Sequence, residues 1–178
     1  MKSERLGQSI YMPLHEIPKY TNKILPYRIK NALQDFADGI PMAQASAEQN
    51  TTISNMGVRL KRARERLHAR TSLQALALGW EAGLIITDVA EKSSPITQKQ
   101  ESLDHLALLA NGLTETQIAC IYGTYLVAIT RSLYRVTKQY GVKKPAEALM
   151  HALEYGDIQM AETRNGKVFF HQRPWPAA

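Results

Sequence analysis

Thr130, Arg131, Tyr134, Arg135 and Lys138 occupy the free faces of a helix that would turn Ile129, Leu133, Val136 and Tyr140 inward, an apolar stripe at steps of 4, 3 and 4. Val58, Arg59, Lys61, Arg62, Arg64 and Arg66 surround an earlier stripe of Met56, Leu60, Ala63 and Leu67 in the same way. Cations set opposite an apolar face suit a polyanionic partner. The formal net charge of +6 agrees, favouring nucleic acid or an acidic membrane surface without choosing between them. Catalytic chemistry finds little to work with. His15, His68, His105, His151 and His171 show no metal-ligand spacing, and Asp104 and His105 are helix neighbours that point apart. No Gly-rich phosphate loop or nucleophile elbow is present, so neither an enzyme, a metal nor a cofactor is expected. The single cysteine, Cys120, excludes an internal disulfide and a Cys-rich zinc module, and is expected as a small core residue on a helix.

The elements that must position these faces follow from pattern. A chain of 178 residues, 44% hydrophobic and 21% charged, with ten Gly and eight Pro, is long enough for one ordinary domain or two small ones and has the composition of a globular protein. Its first residues carry charges and prolines rather than an unbroken apolar run, and no stretch reaches the roughly 20 apolar residues of a spanning helix. A cytoplasmic protein, not embedded in a membrane, is expected.

The chain repeats itself. Leu25 to Ile85 aligns without a gap on Gln98 to Ile158 at an offset of 73, matching Leu33 with Leu106, Ala37 with Ala110, Gly39 with Gly112, Leu60 with Leu133, Arg62 with Arg135, Glu81 with Glu154 and Gly83 with Gly156. In the second copy Leu103, Leu106, Leu109 and Ala110 define one helix ending near Gly112. Thr114 with Gln117 has the capping-box spacing and opens a short second helix, with Ile118 and Ile121 inward. The cationic helix is the third, after a turn at Gly123, and Pro145 to Gly156 frames the fourth. The first copy departs at Pro41, at the start of its second helix, and at Gly57, inside its third, where glycine costs up to about 1 kcal/mol relative to alanine. Expected boundaries are an extension over 1–23, a first unit over 24–85, a linker over 86–97, a second unit over 98–158 and a tail over 159–178. In the tail, Asn165-Gly166 between apolar runs marks a β-hairpin, for covering the helices or for dimerisation. Tyr11, Met12, Leu14, Ile17 and Tyr20 make the extension either a packed segment or an arm. The fold class is therefore mainly all-α: two tandem four-helix helix-turn-helix units and a short C-terminal hairpin.

Both copies resemble the LuxR/NarL/GerE-type helix-turn-helix domain of bacterial transcriptional regulators. In the second copy the likeness runs through "LLANGLTETQIACIY", "AITRSLYRVTKQYGV" and "PAEALMHALEYGDI"; in the first, through "FADGIPMAQASA", "NMGVRLKRARERLHA" and "LQALALGWEAGLI". The resemblance implies that each third helix enters the major groove of duplex DNA. It puts base readout at Val58 and Lys61 and at Thr130, Arg131 and Tyr134; Gly57, in the same row, has no side chain to read with. Phosphate contacts are implied for Ser54, Arg59, Arg62, Arg64 and Arg66 in one copy and Ser132, Arg135 and Lys138 in the other. Two heads on one chain imply either a pseudo-symmetric pair, with the fourth helices as the family's common pairing surface, or a direct-repeat reader; because the heads differ, an asymmetric operator is expected, in a nucleoid-associated regulator without a sensor domain. An anti-activator that uses the fold to bind another regulator is the competing expectation, with a nonspecific architectural or RNA-binding protein behind it. A homodimer is a further expected partner.

Overall fold

In the computed structural model the described residues are 25–87, 96, 100–162 and 168–173. They form eight helices and a two-stranded hairpin: α1 (Tyr27–Ala37), α2 (Met42–Glu48), α3 (Ile53–Arg66), α4 (Ser72–Glu81), α5 (Glu101–Ala110), α6 (Glu115–Tyr122), α7 (Leu126–Gln139), α8 (Pro145–Glu154), β1 (Ile158–Glu162) and β2 (Val168–Gln172). The expected extension and most of the linker lie outside the described residues.

Helix starts are set by local chemistry. Thr52 and Thr71 accept the amides of Asn55 and Gln74 and so cap α3 and α4. Thr114 and Gln117 form the reciprocal capping box expected for α6, with Gln117 N at 3.3 Å from Thr114 Oγ1 and Thr114 N at 2.8 Å from Gln117 Oε1. Pro145 opens α8, while Pro41 stands just ahead of α2 as its cap, where a missing amide costs nothing. Gly57 is exposed on α3 with nothing near the place of a β-carbon, so its cost is that of helix propensity alone.

The two halves keep step. The starts and ends of α3 and α7 are 73 residues apart, as are those of α4 and α8. Every residue with positive φ among those described has a counterpart at the same offset: Gly39 with Gly112, Asn50 with Gly123, His68 with Gly141, and Gly83 with Gly156. Asn50 and His68 hold the left-handed turn that glycine holds in the other half, a conformation for which Asn and His are enriched among non-glycine residues.

One core runs through both halves. Leu33 of α1, Leu76 of α4, Leu103 and Leu106 of α5 and Leu149 of α8 are completely covered within it, each contributing about 1.5–3 kcal/mol by leaving water. Between the halves α4 packs on α5 and α8, and α8 also packs on α1. Two of these contacts are reciprocal. A β-carbon on Gly39, after α1, would lie 2.3 Å from Cδ of Glu147 on α8; one on Gly112, after α5, would lie 2.4 Å from Oε1 of Gln74 on α4. Glu147 stands at the place of Gln74 in the other half, so each half offers a bare glycine backbone to the same position of its neighbour.

The expected stripes turn inward, with two differences. Ile129, Leu133, Val136, Tyr140, Met56, Ala63 and Leu67 are buried, whereas Leu60 and Ile121 are half-buried at the edge of the core. Cys120 is exposed rather than core. Ile118 and Ala119 take the inward face of α6, and Cys120 falls about 200° round the helix from Ile118.

The hairpin covers α5 and α8. Ile158 pairs with Gln172 and Met160 with Phe170, and Ile158 and Phe170 are buried against the helices. The Asn111 side chain fixes the register, donating to Phe170 O at 2.7 Å and accepting from Phe170 N at 2.8 Å. The Asn165-Gly166 turn lies outside the described residues. Beneath the hairpin, Asp157 is completely buried and gathers three segments: Oδ2 accepts from the Tyr140 hydroxyl and the Ile96 amide, each at 2.8 Å, and Oδ1 lies 3.1 Å from Arg173 Nη2. Burial and the adjacent carboxylate push the Tyr140 phenol far above its usual range, so it stays the donor.

Candidate nucleic-acid interface

Each third helix is aimed by a tight turn from the second. After α6, Gly123 adopts the left-handed conformation and Thr124 N donates to Ala119 O at 2.9 Å; after α2, Asn50 adopts it and Thr51 N donates to Ser46 O at 2.9 Å. With the apolar stripes buried, α3 shows solvent Ser54, Gly57, Val58, Lys61, Arg62 and Arg66, and α7 shows Val127, Thr130, Arg131, Tyr134, Arg135 and Lys138. The base-readout candidates Val58 and Lys61, and Thr130, Arg131 and Tyr134, are thus all exposed, each set on one helix.

The phosphate candidates divide. Ser54, Arg62, Arg66, Arg135 and Lys138 are exposed, but Ser132 is not: it is 5% exposed and 2.8 Å from Nδ1 of buried His105. Three residues beyond Ile129, it joins the flank of the inward stripe, where the imidazole supplies its hydrogen bond. Arg59 is half-buried and donates to Gln49 Oε1, while Gln49 in turn donates to Asp35, so its guanidinium is held along the flank of α3 rather than free to reach outward. Arg64 is half-buried with Nε enclosed and unbonded.

The two faces differ electrostatically. α3 carries Arg59, Lys61, Arg62, Arg64 and Arg66 against Glu65 alone, and Lys61 Nζ lies 3.9 Å from Glu65 in an exposed pair that a phosphate or base can displace. α7 carries Arg131, Arg135 and Lys138 and no acid of its own, with the Lys138 ammonium 5.2 Å from the centre of the Tyr134 ring. Glu115 of α6 nevertheless reaches this face and accepts from the Thr130 hydroxyl at 2.9 Å. The start of α7 is also apolar: Tyr125, at the cap position, is 86% exposed, and Leu126, Val127 and Tyr122 are exposed beside it. The corresponding cap of α3 is Thr52, a polar residue bonded to its own helix.

A groove of about 780 Å³ runs between the start of α1 and the flank of α3, walled by Tyr27, Arg28, Asn55, Arg59, Arg62 and Arg66. Sequence reasoning missed Tyr27 and Arg28. They precede α3 by some two dozen positions, and only folding lays α1 against it.

Among the described residues, no group of three or more His, Cys, Asp or Glu is placed to hold a metal ion, and no helix is long and apolar enough to cross a membrane. The fold and these faces define a mainly helical protein with two exposed cationic helices on one core. No family model, curated protein or solved structure matches the chain.

Proposed function

We propose that this chain is a transcriptional regulator of the LuxR/NarL/GerE-like kind, formed by internal duplication, that binds specific duplex DNA through α3 and α7. The observation that carries this reading is the reciprocal packing of Gly39 on Glu147 and Gly112 on Gln74. Equal contacts exchanged between equal positions are the mark of a two-fold arrangement, and the paired positive-φ turns at a constant offset support the duplication behind it. Such an arrangement turns two cationic helices into equivalent reading heads around α4 and α8, the geometry needed for two half-sites about one helical turn apart.

The heads read different sequences. At equivalent places Ser54 stands against Val127, Gly57 against Thr130, Val58 against Arg131, and Lys61 against Tyr134. Arg131 offers the guanidinium fork that recognises guanine, Lys61 can donate to guanine O6 or N7, and Val58 suits a thymine methyl. Arg62 and Arg135 are the same residue in both copies and occupy a phosphate-contacting place, which carries no sequence information. The operator is accordingly asymmetric. Selection of bound duplexes from a random pool, followed by titration of the winner and a scrambled control, tests this. A preference on the order of 10³-fold supports a specific regulator; equal affinity for both duplexes refutes it.

A second reading draws on the apolar start of α7 and the Glu115 carboxylate beside Thr130. These features favour a protein partner at the second head, as in an anti-activator. A pull-down with wild type and Tyr125→Ser, Leu126→Ser distinguishes the two. A captured regulator that is lost in the variant, with no duplex preference, supports the protein-partner reading.

A further inference from the structure

The groove between α1 and α3 is lined by a set of cations that the second half does not repeat. Its cations are Arg28, Arg59, Arg62 and Arg66, and among the described residues Arg28, Arg62 and Arg66 form no ion pair. Glu65 also lines it, in an exposed pair with Lys61 at 3.9 Å, and is the one acid against these four arginines. Arg59 is fixed within the wall through Gln49 and Asp35, and burial raises the pKa of the Asp35 carboxyl above its ordinary value. At the equivalent places of the second half stand Glu101 for Arg28, Ser132 for Arg59 and Gln139 for Arg66, leaving Arg135 alone to match Arg62. Ser132 there is buried against His105.

We infer that this groove is a phosphate cleft for the DNA backbone, built into the first half only, with Arg28, Arg62 and Arg66 as its ligands and Arg59 as a fixed positive charge in its wall. The inference rests on the DNA-reading proposal and extends it. Arg62 belongs both to the exposed face of α3 and to the groove, so the groove opens along the reading helix itself. A strand flanking a major groove filled by α3 passes beside that helix, and the cations of the cleft match its charge. Arg28, contributed by a different helix, lets the first half grip the backbone from two sides. The second half presents Glu101 at the matching place and so grips less. One half-site is therefore the anchor, supplying more of the salt-sensitive affinity than the other.

The experiment measures affinity of the full chain for its selected duplex and for a scrambled duplex across a salt series, in wild type, Arg28→Gln, and Lys30→Gln as a charge-matched control on the same helix outside the groove. Thermal melts confirm that the variants fold. Arg28→Gln is expected to weaken both duplexes alike, by about threefold to tenfold near physiological salt, and to reduce the slope of log affinity against log salt by about 0.9, one phosphate's worth of released counterion. Lys30→Gln should leave the slope unchanged. Wild-type binding with the same slope in Arg28→Gln overturns the cleft while leaving the regulator reading intact. An equal loss of slope in Lys30→Gln also overturns it, by reducing the effect to net charge. Absence of wild-type binding to any duplex at low salt overturns both.

Discussion

The junction between the halves can be tested by adding a single carbon. In Gly112→Ala the new methyl would meet Oε1 of Gln74 at 2.4 Å, and residue 112 has φ +87°, a backbone state that costs a non-glycine residue about 1–3 kcal/mol. Gln74 is 7% exposed and cannot simply swing into solvent. Its side chain accepts from Arg70 N at 2.8 Å and donates to Asn111 O at 3.2 Å, and each bond contributes about 0.5–1.5 kcal/mol. Displacing it adds about 1–3 kcal/mol to the backbone cost. Gly123→Ala is the internal reference, since Gly123 has φ +60° and nothing within 4 Å of its β-carbon, so it incurs backbone strain alone. Urea denaturation followed by circular dichroism should therefore place Gly112→Ala below Gly123→Ala by about 1–3 kcal/mol, a midpoint difference of about 0.5–1.5 M at a slope near 2 kcal/mol/M. Equal destabilisation of the two variants would refute the claim that α4 and the turn after α5 hold the halves together through this contact.

Other sites give independent checks. Asp157→Ala leaves Arg173 and the Tyr140 hydroxyl without their buried acceptor and should cost about 3–5 kcal/mol in the same assay, against about 1.5–3 for Tyr140→Phe; parity between them would mean that the carboxylate does not tie the hairpin to the helices. Burial, reinforced by the charge of Arg135 and opposed by Glu101 and Asp104, holds the His105 pKa below its ordinary value of 6.5, and burial lowers that of His151 against Glu147. The unfolded chain therefore binds more protons just below pH 6.5. Stability should be full above that pH and fall as the solution is acidified towards the depressed folded values, with a shallower fall in His105→Gln. An identical profile in that variant would remove His105 from the explanation. Arg131→Ala should cost about 1–3 kcal/mol of binding and relax preference at one base pair, whereas Arg135→Ala should weaken all duplexes alike; the same effect from both would contradict the division between base and backbone contacts.

What the sequence disclosed was periodic or punctuated. The stripes of α3 and α7, the Thr114–Gln117 box, Pro145 and the two hairpin strands were legible because each rests on a local rule. Partners distant in the chain were not. Asp157 follows a helix-ending glycine and looks like an ordinary solvated acid until Tyr140, Ile96 and Arg173 converge on it. Arg59 looks as available as Arg62, but Gln49 restrains it, and Ser132 looks as polar as its exposed neighbours until His105 accounts for it. Cys120 was misplaced because a short helix with apolar residues on several sides leaves its phase undecided. Left-handed turns 73 residues apart were legible only in part, because Asn50 and His68 stand where glycine marks the matching turn.

The contacts across α4, α5 and α8 lie within a single polypeptide, and on the DNA-reading proposal this decides how the cell's dose of protein becomes operator occupancy. A regulator assembled from two chains must first find its partner, so at low abundance its active form rises with the square of concentration. Here each newly made molecule already carries both heads at a fixed separation. A chain acting alone should therefore fill its operator hyperbolically with expression, without a threshold.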